Sequence, residues 1–181
     1  MSPSIDLVVV GLGYVGMPLA SQAVNCGVRV VGFDLNEAVV AGLNAGRSHI
    51  DDLSDEDVSA MRVNGFEATT DTAVLGNADA VVICVPTPLD DSGSPDLAAV
   101  RGASRSIAEE IRRGQLVVLE STTYPGTTDD IVCPLLEESG LIAGKDFFLA
   151  YSPERIDPGN ATYGVQNTPK VVGGYDQAST D

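Results

Sequence analysis

The 181-residue sequence has no tryptophan, one histidine, three cysteines, and ten basic side chains against 26 acidic ones. Each scarcity removes a class of function. Cys26, Cys84 and Cys133 are odd in number and show no C-x-x-C spacing, which argues against a disulfide scaffold or zinc site and for a reducing compartment. His49, beside Ser48 in a polar stretch, reads as a solvated loop residue, so no metal site is expected. The net charge of −16 and pI near 4.1 create a field that repels phosphate, which makes nucleic acid and anionic membrane surfaces poor partners. An anionic ligand would have to be held by local donors. The longest apolar runs, residues 7–12 and 80–85, fall far below the ~18–20 residues of a membrane span. No basic residue precedes the first run, so no secretion signal is visible and a cytoplasmic location is expected.

With 44% hydrophobic residues, the chain can bury a core of its own. Short β-rich runs alternate with helical periodicity from the start, the pattern of a parallel sheet with crossover helices. The expected fold is therefore α/β: a Rossmann-like, doubly wound, mostly parallel sheet with helices on both faces, formed by residues 1–181 as one unit. Ile5–Val10 reads as a central strand buried on both faces, followed by a helix through Val15, Leu19, Ala23 and Cys26 that Gly27 ends. Residues 28–34 read as the second strand, and Asn36 as the cap of a helix through Leu43. Ser54 to Asp57 resembles a capping box, with a short strand at 66–70. Further strands are expected at 80–85, Leu116–Leu119 and 147–150, and Val171-Val172 as a last one. A helix capped by Ser94 should run through Ile107 to Gly114, interrupted on its apolar face only by Ser104. Another should start at Thr127 or Thr128 and run to Gly140 with a kink at Pro134.

The segment Gly11-Leu12-Gly13-Tyr14-Val15-Gly16 is a G-x-G-x-x-G placed where a buried strand meets a helix. Gly11 permits the tight turn, Gly13 lets a pyrophosphate approach the backbone, and Gly16 lets helix and sheet pack closely. The unpaired N–H groups at the helix start then supply the local donors that the acidic composition demands. Asp34 follows at the end of the second strand, where a carboxylate can accept from an adenosine ribose. Asp34 would repel a 2′-phosphate, and neither Leu35 nor Asn36 compensates, so NAD is expected over NADP. The plainer reading is a packing turn with Asp34 as a loop cap.

Ligands of open parallel sheets collect at the carboxyl ends of the strands. Three segments stand there: Val85-Pro86-Thr87-Pro88, then Glu120-Ser121-Thr122-Thr123-Tyr124-Pro125-Gly126, then the loop from Tyr151 through Glu154, Arg155 and Ile156 to Asn160. Hydroxyls, a glutamate and an arginine suit the ordering of a water and the binding of a sugar or phosphate. They equally suit turn capping and an exposed charge pair.

With G-L-G-Y-V-G-M-P-L-A, V-P-T-P-L, E-S-T-T-Y-P-G and S-P-E-R-I-D-P-G-N in this order and spacing, the chain resembles the NAD-binding domain of the UDP-glucose/GDP-mannose dehydrogenase family over nearly its whole length. The opening alone also resembles β-hydroxyacid dehydrogenases; the later motifs separate the two. The resemblance implies a four-electron oxidation of the sixth-carbon alcohol of a UDP-sugar to a carboxylate, using two NAD and a cysteine thiohemiacetal and thioester. It places Gly11, Gly13, Tyr14, Val15, Gly16, Asp34, Thr87 and Thr123 on cofactor positions. Thr123 and Glu154 fall on positions that order the catalytic water, and Glu154, Arg155 and Ile156 on substrate positions. Pro158 stands where UDP-glucose dehydrogenases carry a second glutamate, so the loop looks closer to the UDP-N-acetylhexosamine branch. The family's nucleophilic cysteine, with its lysine and asparagine partners, lies beyond Asp181. The expectation is thus a cofactor domain that lacks a central helix and a C-terminal UDP-binding half, in an intact enzyme that is a homo-oligomer. A non-catalytic NAD-sensing module is the alternative outside enzymes.

Overall fold

The computed structural model describes residues 5–155 and 167–181. In chain order the elements are β1 (Ile5–Val10), α1 (Gly16–Asn25), β2 (Val30–Phe33), α2 (Glu37–Asn44), α3 (Asp55–Val63), β3 (Glu67–Thr69), β4 (Ala78–Ile83), α4 (Ala98–Glu110), β5 (Leu116–Leu119), α5 (Cys133–Glu137), β6 (Phe148–Tyr151), β7 (Gly173–Gly174) and α6 (Gln177–Thr180). The strands form one sheet in the order β3-β2-β1-β4-β5-β6-β7, parallel except for β7, which runs antiparallel to β6. The order reverses at β1, which pairs with β2 on one side and β4 on the other, with Val10 aligned to both Phe33 and Ile83. A crevice opens at that reversal, at the carboxyl edge.

Alternate residues of the central strands feed two separate cores. Val8, Val10, Val81, Ile83, Val117 and Leu119 pack on one face against Val100, Ile107 and Leu136 of α4 and α5. Val9, Val82 and Val118 pack on the other against Met17, Ala20, Val58 and Met61 of α1 and α3. The strands are apolar on both faces because both faces are covered, so they read as unbroken runs. Ser104 belongs to the first core at no cost in unmet polarity: its hydroxyl donates to the Val100 carbonyl at 2.8 Å.

Asn36 caps α2 by accepting from the Ala38 and Val39 amides, and Ser54 with Asp57 forms a reciprocal capping box on α3. Ser94 does not cap α4. The Asp90 carboxylate gathers the Ser92 and Ser94 amides into a turn, and Asp96 accepts from Ala98 N at 2.8 Å instead. That helix ends at Glu110, ahead of the Gly114 turn. The helix expected from Thr127 to Gly140 begins as a π-helical turn, Thr128–Val132, and becomes α-helical only at Cys133. Pro134 thereby lies in the first turn of α5, where its missing N–H costs little. Val171 and Val172 are exposed, and the last strand is the adjacent Gly173–Gly174, too short and glycine-rich to show in a propensity pattern. The 3₁₀ helix Thr72–Asn77, with Leu75 buried beneath it, was equally invisible in the sequence.

Candidate functional site

The crevice is a cleft of about 500 Å³ whose lining includes Gly11, Gly13, Tyr14, Asp34, Thr87 and Glu120. Gly11 has φ +91°, and a Cβ there would lie 2.9 Å from the Cys84 carbonyl oxygen, so the turn admits no other residue without a shift. Nothing lies within 4 Å of where a Cβ on Gly13 would stand, which leaves its backbone approachable from the cleft. A Cβ on Gly16 would overlap the Gly11 carbonyl oxygen and crowd Val9, so helix and strand are as close as the sequence permits. The start of α1 has no side-chain cap and no acidic residue in its first turn. Met17 N and Leu19 N are spent on the Gly13 and Val15 carbonyls and Pro18 has no N–H, which leaves the amides of the turn from Gly13 to Gly16 as the donors that fit a diphosphate.

Asp34 joins this turn to the end of β2. Its Oδ2 accepts from Leu12 N and its Oδ1 from Asn36 N, each at 2.9 Å. The carboxylate thus caps the loop, and each oxygen keeps a second lone pair. No lysine or arginine lines the cleft among the described residues, so a 2′-phosphate finds no side-chain counter-charge.

The later loops meet at the far side. The Thr87 hydroxyl donates to the Thr122 carbonyl, and the Ser121 hydroxyl to the Val85 carbonyl at 2.7 Å, which ties the segments after β4 and β5 together. Glu120 is buried and ion-paired with Lys170. Burial holds the Lys170 ammonium below its ordinary pKa. Burial also pushes the Cys84 thiol up to about 12, and the charges of Lys170 and Glu154 act on it in opposite senses. Glu154 is not among the residues that line the cleft; its Oε1 accepts from Arg155 N at 2.7 Å. Arg155 is exposed. Ile156 lies outside the described residues.

Thr123 is not brought to the cleft. Its hydroxyl is 2.6 Å from that of Thr127, whose own proton goes to the Tyr124 carbonyl, so Thr123 donates to Thr127. It lines a separate hollow of about 310 Å³ with Tyr124, Thr127 and Tyr151. Thr122 lines the cleft instead. His49 is the other residue that sequence reasoning missed: exposed and in a loop as expected, it nonetheless lines the cleft.

A Rossmann domain with a glycine turn, a ribose acid and a strand-order crevice is a dinucleotide-binding domain. Residues 5–181 match the UDP-glucose/GDP-mannose dehydrogenase family, NAD binding domain, and the chain belongs to that family. It is 40% identical over 174 residues to a UDP-N-acetyl-D-glucosamine 6-dehydrogenase of Pseudomonas aeruginosa, a match covering 94% of this chain and 40% of the relative. Against a UDP-N-acetyl-D-mannosamine dehydrogenase of Pyrococcus horikoshii it is 33% identical, over 97% of this chain and 42% of the relative. The crystal structure of a ternary complex of GDP-mannose dehydrogenase from Pseudomonas aeruginosa superposes with a TM-score of 0.88 at 31% identity, over 96% of this chain and 42% of that one. The chain thus spans about two-fifths of the length of these relatives. No helix among the described residues is long and apolar enough to cross a membrane.

Proposed function

We propose that this chain is the cofactor half of a nucleotide-sugar 6-dehydrogenase whose intact form oxidises a UDP-N-acetylhexosamine to the uronic acid with two NAD. The observation that carries this reading is the convergence, in one cleft at one sheet edge, of the glycine turn, Asp34, Thr87 and the Glu120 to Thr122 segment. A packing role for those later loops would not require them to converge there. The names of the relatives at 33–40% identity favour an N-acetylhexosamine as the sugar.

In this reading the amides of the turn from Gly13 to Gly16, with the open backbone at Gly13, hold the diphosphate, and Asp34 holds the adenosine ribose. Bound NAD supplies the hydride acceptor. Thr123 and Glu154 orient a water, as the motif suggests, with Thr122 beside them at the cleft. Arg155, exposed beside Glu154, faces the sugar nucleotide. The nucleophile is supplied by the part of the relatives' length that this chain does not span: Cys84 and Cys133 are buried with thiols pushed up in pKa by burial, and Cys26, exposed at the far end of α1, is not among the residues that line the cleft. The intact protein is a homo-oligomer that works in the cytoplasm.

The test is an assay of the protein extended past residue 181 with UDP-N-acetylglucosamine, UDP-N-acetylmannosamine and UDP-glucose. Two NADH per uronic acid, with an N-acetylhexosamine preferred, is the expected result. Reduction of NAD by a small β-hydroxyacid but by no UDP-sugar would overturn it.

A further inference from the structure

Among the described residues that line the cleft, His49 is the one whose side chain is able to carry a positive charge, and the topology explains how a loop residue comes to be there. α2 leaves the carboxyl edge of the sheet after β2. α3 must start near that edge too, since it delivers the chain to β3, which runs parallel to β2. Residues 45–54 therefore climb back to the edge that bears the glycine turn.

The backbone around His49 is fixed on both sides. Ser48 N donates to Asp55 Oδ1 at 2.7 Å, and the Ser48 hydroxyl exchanges hydrogen bonds with Ile50 N and O at 3.2 and 3.0 Å. Ile50 is buried in the core beneath α1 and α3. Between these two anchors the imidazole is presented to the cleft, on the part of the lining contributed by Asn36 and Val39, which like His49 follow β2.

Several of the other polar side chains of the lining are committed, the Tyr14 and Thr122 hydroxyls excepted. Thr87 and Ser121 spend their hydroxyl protons on carbonyls, and the Asn36 side-chain oxygen caps α2. Asp34 and Glu120 are carboxylates, a poor setting for a ligand with two phosphates unless a side-chain donor faces it. We infer that the His49 ring donates a hydrogen bond to the diphosphate of the bound dinucleotide and closes the adenosine end of the cleft. This rests on the reading of the cleft as an NAD site.

The test is calorimetric titration of the 181-residue chain and its variants with NAD and with ADP-ribose, which keeps the diphosphate and lacks nicotinamide. His49→Ala should weaken both ligands alike, by roughly fivefold to tenfold. His49→Gln, which retains a side-chain N–H, should recover most of the loss, and His49→Phe should not. Because the chain has one histidine, its ring signals in an NMR spectrum are unambiguous and should shift when ADP-ribose is added. Unchanged affinity in His49→Ala, or wild-type affinity in His49→Phe, would overturn this assignment alone. A wild-type chain that binds neither ligand would overturn the NAD-site reading with it. Since His49 is exposed, the variants should melt like the parent.

Discussion

Asp34 fastens the end of β2 to the glycine turn that ends β1, through the hydrogen bond it accepts from the Leu12 amide. One carboxylate thus shapes the loop and lines the cleft. Asp34→Ala should lower NAD affinity about tenfold and narrow the preference over NADP. It should also destabilise the fold by about 1–3 kcal/mol, because the Leu12 amide loses its acceptor. Calorimetry with both cofactors, alongside urea unfolding, separates the two effects.

Gly13 and Gly16 should fail in opposite ways. Gly16→Ala would force the new methyl onto the Gly11 carbonyl, and we expect a loss of about 1–3 kcal/mol or more in unfolding experiments. Gly13→Ala meets no atom within 4 Å, so stability should stay within about 0.5 kcal/mol while NAD affinity falls.

Lys170→Met should be more damaging than its surface position suggests, since it strands the buried Glu120 carboxylate. About 1–3 kcal/mol of stability should be lost, and the double variant with Glu120→Gln should regain part of it. A double-mutant cycle in urea measures the coupling.

Thiol labelling should find one fast cysteine in the native chain. Cys26 is exposed, whereas Cys84 and Cys133 are buried, with the Cys84 thiol held at about 12. Mass spectrometry after brief iodoacetamide treatment should show a single adduct, and three after unfolding in urea.

Asp6 titrates low, its carboxyl brought from 3.8 to about 2 chiefly by the hydrogen bonds it accepts from Arg29. A depressed carboxylate contributes stability that is fully present above its unfolded pKa and lost as pH falls through the folded one. The stability difference between wild type and Asp6→Asn should therefore be constant above about pH 5 and disappear toward pH 2. Thermal melts across that range give the check.

The central strands and the glycine turn were legible because a strand covered on both faces must be apolar throughout, and because Gly11 and Gly16 answer to backbone contacts that only glycine tolerates. What escaped depends on tertiary partners. Gly173–Gly174 is a strand only because Tyr151 and Ala150 pair with it, and the π turn before Pro134 is a local compromise with no composition of its own. Thr122 and Thr123 are the same residue type in adjacent positions, and their sequence alone carries nothing that tells which one lines the cleft. His49 reaches the cleft through a loop whose path is set by the parallel pairing of β2 and β3.

The pairing of β1 with β4, which aligns Ile5 with Ala78 and Val10 with Ile83, sets an order of events for the nascent polypeptide. As the ribosome emits the chain, β1 can find β2 early, but its other edge stays open until residue 83 has cleared the exit tunnel. The cofactor crevice lies at that late seam. The wall of the cleft formed by Thr87 and Glu120 therefore joins the glycine turn and Asp34 only once that seam has closed, and a ribosome stalled before β4 would hold a half-sheet with one edge of β1 open.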